Sequence, residues 1–132
     1  MLGGGNPVSG SNPAGIGTTL NHIGNFVYAY SGPIATGGTG SADKTALVFT
    51  TGSEIIRCTV TQCDNGGGSA DKLMTINMDG QTIWEARYTD NQTNIGDQPL
   101  PIIIPPNTKI EILIGSAASE NMSVMLSGEV YA

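Results

Sequence analysis

The sequence predicts an all-β chain: a single eight-stranded antiparallel β-sandwich of jelly-roll type, preceded by a flexible Gly/Pro-rich N-terminal arm. Three observations predict it. Charged residues are 12% of 132, about half the usual share of roughly 25%; 19 Gly, 7 Pro and many Ser, Thr and Asn stand in their place. Eight short runs have strand composition, several alternating with a period of two. No stretch carries an apolar stripe at helical spacing.

Taken in order, residues 1–24 are rich in Gly, Asn, Pro and Ser and lack a periodicity that folds alone. Ile16, Leu20 and Ile23 punctuate them, which favours an arm that orders against a neighbouring subunit over a solvated tail. The sandwich is placed at 25–132. Its strand-like runs are 25–31 (NFVYAYS), 45–51 (TALVFTT), 54–62 (EIIRCTVTQ), 72–78 (KLMTINM), 81–88 (QTIWEARY), 99–104 (PLPIII), 109–115 (KIEILIG) and 121–131 (NMSVMLSGEVY). Ile56, Cys58 and Val60 oppose Arg57, Thr59 and Thr61; Met122, Val124 and Leu126 oppose Ser123, Met125 and Ser127.

Connections follow from turn chemistry. Asp79-Gly80 between two alternating runs marks a two-residue type I′ hairpin, whose central residues both need positive φ. Pro105-Pro106-Asn107 reads as a stiff corner where the chain crosses between sheets. Gly52-Ser53 is so short that it reads as a plain hairpin, which sits poorly with a crossing.

The pentapeptide GSADK occurs twice, at 40–44 and 68–72. In a jelly roll the two loops share one end with those after QTIWEARY and before the last run. That end gathers Asp43, Asp64, Asp71, Asp90, Asp97 and Glu120 into an acidic rim. Calcium accepts such oxygens, yet neither copy has the spacing of an EF-hand or of a GGxGxD repeat. Glycine for the backbone, Ser and Asp capping their own turn, and Lys snorkelling at a strand start account for both copies. No metal or other cofactor is assigned.

Other chemistry is sparse. Cys58 and Cys63 are five apart, on opposite faces of a regular strand and roughly 16 Å apart, so they are expected as free thiols with Cys58 in the core. Zinc needs further ligands, and His22 is the one histidine. The same histidine has no acid near it in sequence to build a nucleophile–base pair. Glu85 with Asp79, or Glu111 with Glu129, are the carboxylate pairs a glycosidase would need, but all sit where solvated strand residues belong. Enzyme activity is not expected. Trp84 and Tyr88 beside an Asn/Asp-rich loop suggest a carbohydrate- or receptor-binding module of a virion or cell surface as the alternative, weighed against Trp84 as core.

The formal charge is −6 with five scattered basic residues, which excludes phosphate-backbone binding through a basic patch. No apolar run approaches the roughly 20 residues that span a bilayer. MLGGGNPVSG has neither a basic n-region nor an apolar h-region, so synthesis in the cytoplasm is expected. What remains is surplus apolar surface. NFVYAY, TALVF, PLPIII and the last run are apolar on both faces, which suggests burial against other subunits. Phe26, Tyr28, Leu113, Met125 and Tyr131, with Ile16, Leu20 and Ile23 of the arm, are the candidate oligomer or partner interface. Asp43, Asp71, Trp84, Tyr88, Asp90 and Asp97 are the candidate ligand or rim residues.

The Gly/Pro arm, the eight short runs, the IPPNTKIEI corner and a chain ending on its last strand together resemble small jelly-roll virion proteins of tailed bacteriophages, the capsid decoration (cement) type. The resemblance spans about residues 25–131 and carries no motif that transfers residue by residue. It implies a non-enzymatic homotrimer in the virion, bound to the major capsid protein or another virion protein and reinforcing the head shell.

Overall fold

A computed structural model of the chain describes residues 20–38, 40–64, 72–88, 99–117 and 121–131. Among them are ten strands and no helix: β1 (Asn21–Ile23), β2 (Phe26–Tyr30), β3 (Ile34–Ala35), β4 (Lys44–Thr50), β5 (Ile55–Asp64), β6 (Lys72–Met78), β7 (Gln81–Tyr88), β8 (Leu100–Ile104), β9 (Lys109–Ser116) and β10 (Asn121–Tyr131). Two of them, β1 and β3, are short pieces that composition did not mark. β1 lies inside the segment predicted as an arm to residue 24, and pairs antiparallel with β2.

The strands form two antiparallel sheets. The first runs β1-β2-β10-β5-β8, with β3 also on β10; the second runs β4-β9-β6-β7. Inward rows from both meet in one apolar cluster that includes Val27, Ile56, Val60, Ile76, Val124 and Leu126. Ile110, Ile112 and Ile114 of β9 are wholly buried, so the period-two pattern KIEILI marks the middle of the second sheet. The outcome is sandwich-like, with one buried face per sheet.

Two local features depart from plain alternation. A bulge in the β4–β9 ladder between Thr45 and Leu47 turns both Ala46 and Leu47 inward, where each is wholly buried. A bulge adds one residue to one strand and shifts its facing, so TALVF is apolar on consecutive residues without presenting a second apolar face. A second irregularity falls between Ile76 and Asn77 opposite β7.

The Asp79-Gly80 turn is a two-residue hairpin as its sequence predicts: Met78 pairs with Gln81, and φ is +50° at Asp79 and +85° at Gly80. The Pro105–Asn107 corner carries the chain from the first sheet to the second, with Asn107 at φ +52°. The link around Gly52 and Ser53 also crosses between sheets, joining β4 to β5, and is no plain hairpin. It succeeds because the two crossings brace each other. The Thr51 N–H donates to the Thr108 carbonyl at 2.9 Å and the Asn107 N–H to the Gly52 carbonyl at 2.7 Å. Thr51 Oγ1 donates to the Pro105 carbonyl at 2.8 Å and accepts from the Thr108 N–H at 2.9 Å.

Candidate interaction face

The two sheets differ on their outward faces. On the second sheet, Lys109 and Glu111 of β9, Thr75 and Asn77 of β6, and Glu85 and Arg87 of β7 give a largely polar, charged surface, with Val48, Leu73 and Leu113 half-buried among them. The outward face of the first sheet carries exposed apolar side chains on either side of a polar middle, where Arg57 and Thr59 of β5 lie beside Ser127 and Glu129 of β10. Among the described residues, six of the seven exposed large apolar side chains, Ile23, Phe26, Ile55, Ile103, Met125 and Tyr131, belong to its strands; the seventh, Ile83, lies on the edge strand β7. Phe26 and Ile103 are 60% and 63% exposed, far from the burial their chemistry favours. Tyr28 and Tyr30 stack beside them on β2, ring centroids 6.3 Å apart.

Cross-strand register orders this face into rungs. Phe26 pairs with Glu129, Glu129 with Arg57, and Arg57 with Ile103. The next outward rung is Tyr28, Ser127, Thr59 and Pro101. Among the described residues of these strands, Arg57 and Glu129 are the outward charges, opposite in sign and adjacent. The Tyr131 hydroxyl donates to the Glu129 carboxylate at 3.2 Å. Between the aromatic β2 and the Ile/Pro-rich β8 the face dips into a hollow of about 270 Å³ lined by Arg57, Thr59, Pro101, Ser127, Gly128 and Glu129, among others. Gly128 lets β10 lie close against β5 at this point: any side chain there would collide with the Arg57 carbonyl and with Cys58.

Of the predicted interface residues, the structure brings together Ile23, Phe26, Tyr28, Met125 and Tyr131. Leu113 is not with them; it lies on the other sheet, because β9 belongs to the second. Leu20 is half-buried and packs against the core. Ile16 lies outside the described residues. Sequence reasoning missed Arg57, Glu129, Ile55 and Ile103 as parts of the face. Their outward positions follow from alternation, but their adjacency rests on pairings between distant segments.

The acidic end resolves in part. Lys44 and Lys72 start β4 and β6 on either side of β9, opposite Ile114 and Ser116, so these two strands start at the same end of the second sheet. In the first GSADK copy the Gly40 N–H donates to the Ser116 carbonyl at 3.0 Å and the Asp43 N–H to the Ser41 carbonyl at 2.9 Å. The Ser41 carbonyl packs so close over Gly115 that a side chain at 115 would collide with it. Lys72 does not snorkel outward: it continues the inward row of Met74 and Ile76 and is wholly buried. Asp71, Asp90 and Asp97 lie outside the described residues, and so does the rest of the second GSAD. Among the described residues no group of three or more His, Cys, Asp and Glu is disposed to hold a metal.

Trp84 is half-buried and packs against the core, opposite Ile76, so its ring is not a free stacking platform. Tyr88 pairs through its backbone with Lys72; its side chain lies outside the described residues. Glu111 and Glu129 point outward from opposite sheets and flank no common cleft. Cys58 is buried and free, and desolvation pushes its thiol up to about 12, which makes it a poor nucleophile.

Neither a family model nor a curated protein sequence matches the chain.

Proposed function

We propose that this chain is a non-enzymatic structural protein that joins a repeating shell, of the capsid decoration type, as a homo-oligomer. The observation that carries the reading is the asymmetry of its two outward faces: largely polar on the second sheet, rich in exposed apolar side chains on the first. A monomer surrounded by water gains nothing from so many exposed large apolar side chains on one sheet face, whereas their burial against neighbours drives association. In a repeating assembly modest contacts multiply through many copies.

The fold supports the same reading. The strand orders β2-β10-β5-β8 and β4-β9-β6-β7 are those expected of a jelly roll wound from eight strands, with β1 and β3 as short additions at one edge. Such a body offers two broad outward faces, one for solvent and one for a neighbour.

The test is co-sedimentation. Tagged chain, supplied during particle assembly in the organism that encodes it, is expected to band with intact particles in a density gradient. Phe26→Asp together with Ile103→Asp is expected to leave the tag at the top of the gradient while its thermal transition is retained. Wild-type chain that never bands with particles overturns the reading.

A further inference from the structure

We infer that the apolar face of the first sheet pairs with the same face of a second copy of this chain, about a two-fold axis running along the strands between β10 and β5. This names the self-contact within the reading above and rests on it for the claim that the face is covered. The argument is the order of side chains along the rungs. Across β2, β10, β5 and β8 the first rung reads Phe26, Glu129, Arg57, Ile103: apolar, acid, base, apolar. The second reads Tyr28, Ser127, Thr59, Pro101: bulky apolar, small polar, small polar, bulky apolar.

A two-fold along the strands exchanges β10 with β5 and β2 with β8. It lays Glu129 of each copy over Arg57 of the other, and Phe26 over Ile103. Ser127 meets Thr59, and Tyr28 meets Pro101. In these two rungs every class of side chain therefore meets its complement. In an isologous contact each patch must be complementary to itself, and a neighbouring pair of opposite charges meets that demand where a lone charge does not. The twist of stacked sheets, about 30° between strand directions, keeps the alignment best near the axis, where the charges sit.

Charge and area agree with this occupant. Copies with a formal charge of −6 repel in general, yet this face carries one charge of each sign and brings no net charge to the contact. Four strands at about 4.8 Å spacing and about 3.3 Å per residue, β10 and β5 of 11 and 10 residues flanked by β2 and β8 of five each, offer on the order of 500 Å² per copy, near the roughly 1,000 Å² in total that a specific interface needs. The symmetry is two-fold, which sets it apart from the trimer that the resemblance to decoration proteins implied.

The experiment is sedimentation equilibrium on the purified full chain and two exposed-site variants, Glu129→Arg and Arg57→Glu, with circular dichroism melts to establish that each is folded. Wild type is expected to be a dimer. Each variant alone places two like-charge pairs across the axis and is expected to weaken the dimer on the order of 100-fold. Mixed one to one, the variants present Arg to Glu at both positions and are expected to recover the wild-type dimer as a heterodimer. A monomeric or trimeric wild type, unaffected single variants, or a mixture that stays monomeric overturns the pairing. A wild type that bands with particles but does not dimerise defeats the pairing and leaves the shell reading standing; one that dimerises but never bands with particles does the reverse.

Discussion

Cys58 shows how one position separates what a sequence tells from what packing adds. Alternation with Ile56 and Val60 put it in the core, and it is 3% exposed there. The size of the consequence comes from burial: desolvation raises its pKa from 9.0 to about 12, because a thiolate loses its hydration in the core. Since the folded value lies above the unfolded one, the folded state holds the proton longer. The stability this provides is complete below about pH 9 and is lost as pH rises from 9 towards 12. We expect urea stability to fall by roughly 2 kcal/mol from this thiol alone by about pH 10.5, at about 1.4 kcal/mol per pKa unit. The pH slope of Cys58→Ala, compared with wild type over pH 8–11, isolates it, since the Tyr and Lys titrations are common to both proteins. Equal slopes would show that the thiol is not desolvated. Lys72 is the contrary case at the same scale. A lysine at a strand start reads as snorkelling, and only the inward parity of β6 with Met74 and Ile76 shows it wholly buried.

At the scale of elements, the runs and the hairpin were legible because their causes are local. Asp79-Gly80 supplies positive φ by its own chemistry, and alternation marks a strand without reference to its partner. What was not legible is what distant segments do for each other. Asp79 does more than turn the chain: its N–H donates to the Lys109 carbonyl at 2.9 Å, and its Oδ1 accepts from the Lys109 N–H at 2.8 Å. The Gly52-Ser53 link looked too short to cross sheets for the same reason, since its support comes from residues 105–108. Thr51 and Thr108 are 4% and 5% exposed, so the groups that meet there are held away from water. Thr51→Val keeps the shape, deprives the Thr108 N–H of its Oγ1 acceptor and removes the donor to the Pro105 carbonyl. An unsatisfied buried polar group costs about 1–3 kcal/mol. We expect a loss of that order in urea unfolding, with no change in the denaturant slope. A change below about 0.5 kcal/mol would mean that the brace contributes only geometry.

For the whole molecule, sheet order decided which predicted residues share a face. Ile23, Phe26, Tyr28, Met125 and Tyr131 come together because β1, β2 and β10 are consecutive in one sheet, while Leu113, with the same outward parity, goes to the other side with β9. The same order separates folding from association in the N-terminal region. Leu20 packs against the core, and Asn21–Ile23 pair with β2, so residues 20–23 belong to the folded body. The Val130 N–H, which donates to the Asn25 carbonyl at 2.8 Å, ties the turn after β1 to the end of β10. Residues 1–19 precede an edge strand of the sheet that carries the apolar face. At up to about 3.4 Å per residue they are long enough to reach a neighbouring copy. We therefore expect deletion of residues 1–19 to leave the thermal midpoint of the isolated protein unchanged and to lower its retention on particles in a gradient. A further cut through Ile23 removes β1 and the Leu20 contact, and is expected to lower the midpoint as well. If the shorter deletion already abolishes the thermal transition, those residues belong to the core, and the division between a folding body and an associating arm fails.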